Sequence, residues 1–417
     1  MQSFDPGLCI LCRGAKGLCG YAYCPIIAKA MASIKVRRIS GKKEFFGSSP
    51  PSVFVGRFGY PEVLAGPSAP PVVGDTSIYD LPEKWLILPI EKILDYRLSL
   101  VTAKQRVKVS SVGGSRLIEL LHELVLSVKP VEVEVELLKP PKPTIRLSEY
   151  EAPQGPTAPL KNFRVVGSGV SARVIESVYD DVDLRATSAI IKLYKHGVPV
   201  THIQRMLSVG ALGRGRNRRL VPTRWSITAV DDTISKYLIK KVKDLPVINE
   251  YRVYVRRHAK NLFLAVLIPR HWSFEWMEAW YPNSTWNPGG GEVSIEGDYE
   301  GFKGRYTYAS IGGCYYAARL ATAEHLLSVG RQATAIVLRE IYPGFNIPIG
   351  VWFVRENLRA MYRAGPVAKV GTFEEVVELI NKYTDLGSRT WLTKSKLTKY
   401  LVGTKSLMDY VRSGGTY

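Results

Sequence analysis

The chain has 417 residues, enough for two or three domains around a large core, and its 46% apolar fraction is that of a folded protein rather than a disordered one. Lys and Arg number 57 against 37 Asp and Glu, a formal charge of +20 at pH 7, and so large an excess points to a polyanionic partner, nucleic acid above all. No run of 18 apolar residues and no basic amphipathic helix with a Trp/Phe/Leu face is present, so no membrane association is expected, and with no signal segment visible the expected location is the cytoplasm.

Four of the five cysteines stand in the first 24 residues, as Cys9-x2-Cys12-x6-Cys19-x4-Cys24, and Cys314 stands apart. Four soft ligands within reach of one ion predict a single structural Zn2+. Gly14, Gly17 and Gly20 permit the tight turns that thiolate ligation demands, and Pro25 stiffens the exit. Two disulfides would suit a secreted protein, and a redox CxxC would leave Cys19 and Cys24 without a role. Residues 1–44 thus read as a four-cysteine zinc module with a basic arm. From Pro6 to Lys43 there are eight basic residues and no acid, with Arg13, Lys16, Lys35, Arg37 and Arg38 as candidate phosphate contacts.

Residues 45–150 form a Gly/Pro-rich first part of the core. Between Gly47 and Asp80 the turn formers alternate with Val53, Phe54, Val55, Phe58 and Tyr60, which predicts an irregular but packed segment. Helical spacing follows from Leu117 to Ser127, and Val131 to Leu137 alternates as a half-buried strand does. Prolines at 140, 141 and 143, and again between Glu151 and Pro159, mark a candidate boundary or a long surface connection.

Residues 151–385 read as the main core. Helices are expected over Ala186–Tyr194 and Val200–Leu207, an Ala-rich one over Gly313–Ser328, and a last one over Phe373–Lys382 with Thr372 and Glu375 as a capping box. Strands are expected at Trp225–Val230, Glu250–Arg256, Asn261–Ile268 and Thr334–Arg339. The irregular alternation predicts a mixed α/β (α+β) globular core behind the small zinc module, with 386–417 as a C-terminal tail.

Several groups of residues could carry function. Leu193, Gly197 and Ile203 have the spacing of a helix-turn-helix, although an ordinary pair of packed helices produces the same spacing. The segment Gly210 to Arg224 combines Gly210, Gly213 and Gly215 with Arg214, Arg216, Arg218, Arg219 and Arg224, a composition suited to phosphate oxygens. It lacks the order of a nucleoside-triphosphate loop. Trp272, Trp276, Trp280 and Trp286 could stack on bases but are better read as core. Asp180, Asp181, Asp183, Asp231, Asp232 and Glu250 could build a two-metal nuclease if they converged; helix caps and surface acids account for each singly, and no catalytic residue is assigned. In the tail, Leu407, Tyr410 and Val411 approximate the hydrophobic plug of a sliding-clamp peptide, with Thr404 in place of the usual Gln.

Four stretches resemble the archaeal Nre family of DNA repair proteins: Leu8-Cys-Ile-Leu-Cys-Arg-Gly with Leu18-Cys-Gly and Cys24-Pro25; Pro50 to Arg57 with Gly59-Tyr-Pro61; Leu220 to Asp231; and Gly350 to Asn357. The resemblance spans nearly the whole chain. It implies a chromosome-associated role in DNA damage repair, a zinc finger at Cys9, Cys12, Cys19 and Cys24, and a C-terminal contact with the sliding clamp (PCNA). It implies no enzymatic mechanism. The expected function is therefore a DNA-binding repair factor, with a metal-dependent nuclease or an RNA-binding or scaffold protein as alternatives.

Overall fold

A computed structural model of the chain describes residues 6–20, 24–32, 41–289 and 291–403. It is a mixed α/β structure with two six-stranded mixed sheets. Two compact units are each assembled from separated segments. The first holds Tyr23–Tyr237 and Ile347–Glu356; the second holds Met1–Ala22, Leu238–Asn346 and Asn357–Tyr417.

The sheet of the first unit contains β1 (Glu44–Ser49), β2 (Ser52–Val55), β3 (Glu62–Ala69), β4 (Val101–Lys108), β5 (Val131–Leu137) and β6 (Thr157–Val165), in the order β1-β5-β6-β4-β3-β2. β4 and β6 run parallel and the other neighbours antiparallel. β5 shows why its sequence alternates: Val131, Val133, Val135 and Leu137 are buried while the three glutamates between them reach the wetter face. The helix Arg116–Leu126 packs on this sheet through Leu117, Ile118, Leu121 and Leu124.

Helices Ala186–Lys195 and Val200–Ser208 are joined through Gly197, whose φ of 77° suits a residue without a side chain. No residue of Val200–Ser208 is exposed, so this helix has no face to lay in a DNA groove, and the pair is a packed pair. The run Trp225–Val230, expected as a strand, is instead part of the helix Thr223–Val242. Its buried stripe is Ser226, Val230 and Ile234, with Asp231 beside it. That period of four extends beyond a six-residue window and uses a serine and an aspartate that an apolar count ignores.

The second sheet contains β7 (Tyr251–His258), β8 (Asn261–Ile268), β9 (Ser273–Trp280), β10 (Ser294–Glu300), β11 (Thr334–Ile341) and β12 (Ala368–Val370), in the order β10-β9-β11-β8-β7-β12. β8, β9 and β11 are buried on both faces, as central strands with near-continuous apolar runs should be. The Ala-rich helix Gly313–Ser328 and the helix Phe373–Tyr383 lie where the spacing predicts them. Thr372 Oγ1 accepts from the Glu375 backbone N–H at 3.3 Å, and Glu375 Oε2 accepts from that of Thr372 at 2.9 Å, completing the capping box. All four tryptophans between 272 and 286 are buried in this core and offer no stacking surface. Among the described residues, no helix is long and apolar enough to cross a membrane.

Candidate functional site

Three of the four stretches that carry the resemblance meet inside the first unit. Edge strand β2 supplies Ser52, Val53 and Phe54, the helix from Thr223 supplies Thr223 and Ile227, and the returning segment supplies Trp352 and Arg355. Together with the connection between β5 and β6 they enclose a cavity of about 70 Å³. Thr223 Oγ1 accepts the Val55 backbone N–H at 2.9 Å, which fixes the helix start against the strand edge. Gly350 has a φ of 95°, and a Cβ there would stand 2.7 Å from the carbonyl carbon of Glu151. Only glycine lets the returning segment lie this close.

The cavity is lined with charge that is internally balanced. Asp80 holds Arg97 at 2.6 Å and Arg205 at 3.1 Å. Burial works against its ionisation, but Arg205, Arg97 and the Ser52 hydroxyl outweigh burial and hold its carboxyl below the usual range. Arg205 also donates to the carbonyls of Asp80 and Pro50, and Arg97 to that of Pro153 at 2.8 Å. Arg355 places Nη1 3.0 Å from both oxygens of Asp231, and Gln204 donates to Asp231 Oδ1 at 3.1 Å.

Four more cations gather next to the cavity. Lys104 Nζ and the Arg146 guanidinium lie over the Phe54 ring, 4.5 and 5.2 Å from its centre, and Arg224 lies 3.7 Å from the centre of Tyr150. Arg57 is close enough to Arg224 and Arg146 that, after burial, their charges lower its pKa. Lys104 is pushed down to about 8, first by burial and then by Arg146, with Glu151 pulling the other way. The Arg146–Glu151 pair is loose, at 3.6 Å. On the same side, Phe58, Tyr60 and Trp225 are 71%, 53% and 46% exposed, and the Tyr60 and Trp225 rings are 5.5 Å apart. Cations held near one another beside open aromatic rings suit a polyanion with stackable bases.

The residues singled out in the sequence are distributed unevenly about this face. Arg224 belongs to it. Arg214, Arg216 and Arg219 are exposed on a loop tethered by Gly215 N–H to the Val182 carbonyl, 2.8 Å. Arg218 is buried, donating to the carbonyls of Gly213 and Tyr179, and so closes the loop from within. In the second unit Lys16 is exposed and reaches the Ser310 carbonyl, while Arg13 is buried and ion-paired to Glu278 at 2.5 Å. Lys35, Arg37 and Arg38, like Leu407, Tyr410 and Val411, lie outside the described residues. Nothing in the composition points to Lys104, Arg146, Glu151 or Gln154. Arg57 ends one of the resemblance-bearing stretches, and that is its only signal.

The candidate acids do not converge. Asp181 Oδ1 accepts the backbone N–H groups of Asp183 and Leu184, Asp231 is buried on Arg355, Asp232 pairs with Lys236, and Glu250 with Arg252 and Lys369. Among the described residues no three His, Cys, Asp or Glu side chains are grouped to hold a metal ion, and this includes the four N-terminal cysteines. One cysteine nevertheless has the surroundings of a ligand. Cys12 ends the helix Pro6–Cys12, and burial would raise its thiol pKa. The backbone N–H groups of Leu18, Lys16, Ala15 and Gly17 turn toward the sulfur and bring the pKa below the ordinary value. Gly14 and Gly17 take φ of 64° and 66° to make that turn.

Comparison with known proteins gives a consistent picture. The family profile described as "Archaeal Nre, N-terminal" matches residues 18–287, and that described as "Archaeal Nre, C-terminal" matches residues 300–410. A protein of Archaeoglobus fulgidus named DNA repair protein NreB is 48% identical over 391 residues, covering 94% of this chain and 97% of the relative. A second from that organism, DNA repair protein NreA, is 33% identical over 86% of this chain and 89% of its own length. DNA repair protein NreA of Haloferax volcanii is 34% identical over 81% and 82%. No solved structure matches.

Proposed function

The chain belongs to the archaeal Nre family, and from that premise we propose that it is a DNA repair factor that holds DNA by its phosphates on the cationic, aromatic face of its first unit. The observation that carries this reading is the gathering of Arg57, Lys104, Arg146 and Arg224 beside the open rings of Phe58, Tyr60 and Trp225. Arg214, Arg216 and Arg219 extend the charged surface, and Arg13 and Arg218 are left out of it because they are buried on internal partners. The names of the relatives support the repair role. Phosphate contact predicts affinity that falls steeply with salt and varies little with sequence. A titration of duplex, single-stranded and forked DNA and matched RNA over a range of salt, with Mg2+ or chelator, tests it. A shallow salt dependence would sink the reading. Metal-dependent cleavage would favour a nuclease, and a preference for RNA the remaining alternative.

Lys104 gives the face a pH signature. Its pKa near 8 means that a bound phosphate, by restoring the charge, draws in a proton once the pH exceeds about 8. Affinity for DNA should therefore fall between pH 7 and pH 9.5, and fall less in Lys104→Met. Stability of the free protein runs the other way. The folded pKa lies below the unfolded one, so the cost of this buried charge is full below pH 8 and fades as the pH rises toward 10.5. Binding measured at the two pH values checks the first statement, and melting curves the second.

The cysteines enter the same reading as ligands of one structural Zn2+, held by Cys9, Cys12, Cys19 and Cys24. The backbone N–H groups that lower the Cys12 thiol pKa and the glycine-built turn after it support this. Elemental analysis of purified protein should find about one zinc per chain. The double change Cys9→Ser and Cys12→Ser should remove the zinc while the main thermal transition stays in place. Leu407, Tyr410 and Val411 remain the proposed contact for the sliding clamp; a synthetic 400–417 peptide titrated against the clamp, with Tyr410→Ala as control, decides it.

A further inference from the structure

The cavity of the first unit contains more polar atoms than its own walls satisfy. Its volume of about 70 Å³ has room for about five water-sized molecules, at roughly 10–15 Å³ each. Gln154 lines it, is only 7% exposed, and has no hydrogen-bond partner for Oε1. Thr201 Oγ1 and Arg205 Nε line the same space and are also without partners. Glu151 Oε2, also in the wall, has no hydrogen-bond partner either. Buried polar groups left unpaired lower stability, so four of them around one space mark a place for a molecule with matching donors and acceptors.

The arrangement of charge says which molecule. Inside, Arg97 and Arg205 share Asp80, Arg355 is held by Asp231, and the buried Glu151 in the wall supplies the third carboxylate for these three arginines. The excess positive charge is on Lys104, Arg146 and Arg224, set against Phe54 and Tyr150, two rings that wall the cavity. A bare anion would bind at those cations and have no use for the acceptor on Gln154. A neutral, planar group with its own donors and acceptors, joined to a phosphate, uses both halves.

We propose that the cavity receives one unstacked nucleobase of the bound DNA, with its phosphate on Lys104, Arg146 and Arg224. Gln154 Oε1 accepts from an exocyclic amino group, Arg205 Nε donates to a ring acceptor, and the Thr201 hydroxyl does either. Tyr60 and Trp225, exposed outside, stack on the bases that remain.

This inference rests on the reading of the face as a DNA surface, and two measurements on the full chain separate them. In the first, a duplex carries 2-aminopurine at a mismatch: anisotropy reports binding, and 2-aminopurine emission reports extrusion of the base. In the second, deoxynucleoside monophosphates are tested by saturation-transfer NMR, with inorganic phosphate as competitor. The variants are Thr201→Val and Gln154→Leu, which remove unpartnered atoms at nearly constant volume and should leave the melting temperature unchanged or higher. Wild-type protein should raise the emission several-fold and saturate a mononucleotide. The variants should lose most of both effects and keep duplex affinity within about threefold, because the phosphate contacts remain. Duplex binding with no rise in emission and no mononucleotide saturation would overturn the base pocket and leave the face standing. Mononucleotide saturation lost in the variants, without duplex binding, would support the pocket and remove the face. Full displacement by inorganic phosphate, or no binding of either probe, would overturn the inference.

Discussion

Changing Arg57, Arg146 and Arg224 together to alanine should weaken duplex binding by roughly a thousandfold at 0.1 M salt, taking about 1.5 kcal/mol for each charge-assisted hydrogen bond to phosphate that is removed. The change in salt dependence is the more specific result. Each phosphate no longer neutralised removes about 0.9 from the slope of log affinity against log salt, so the triple variant should be flatter by about 2.7. The three guanidiniums are half-buried over or beside aromatic rings rather than extended into solvent. They therefore lose little side-chain freedom on binding, and their contribution should exceed that of the exposed Arg214, Arg216 and Arg219. Equal losses from the two sets would mean that charge count, not this arrangement, sets affinity. An unchanged slope in the first triple variant would remove the face from the binding surface.

Asp231→Ala should be among the most destabilising single changes in the chain. It leaves Arg355 buried without the carboxylate that meets its Nη1 at 3.0 Å, and leaves Gln204 with only the distant Ile227 carbonyl, 3.5 Å away, as acceptor. Breaking a buried pair by deleting one partner costs about 3–5 kcal/mol, so thermal melting should begin many degrees lower. Asp231→Asn keeps an acceptor oxygen and the volume, and should lose less. The comparison also decides what this aspartate is for. A carboxylate needed for metal-dependent cleavage would lose turnover in Asp231→Asn with melting nearly intact; a carboxylate needed for the fold loses stability in both variants, in the order given.

The sequence displays most clearly those elements whose period is complete within them. β5 alternates without a break, the capping box sits at the start of Phe373–Tyr383, and Gly313–Ser328 is Ala-rich throughout. The helix Thr223–Val242 is obscured because its buried stripe runs through Ser226 and past Asp231. The candidate site is legible only in part, for a different reason. Arg224 stands out in an arginine-rich run, and Phe54 and Arg57 lie in a stretch that carries the resemblance. Lys104 on β4 and Arg146 in the connection before β6 are single cations in unremarkable surroundings. They meet because the sheet places β4 and β2 on either side of β3 and the connection folds back across that edge. Arg218 misleads in the opposite sense: a guanidinium after a glycine-rich turn fits the carbonyls of that turn as well as it fits a phosphate, and here it bonds Gly213.

The first unit is completed by Ile347–Glu356, although the rest of it ends at Tyr237. Synthesis runs from the N-terminus at about 5–20 residues per second, so the missing wall leaves the ribosome on the order of ten seconds after the sheet it closes. Through that interval Asp231 has no Arg355 and the space beside Phe54 has no Trp352. A nascent chain should stay susceptible to proteases over residues 50–60 and 220–237 until residue 356 emerges. A message cut short anywhere in the long stretch between would yield a product with the basic strand edge but without a closed cavity, open to whatever polyanion it met first.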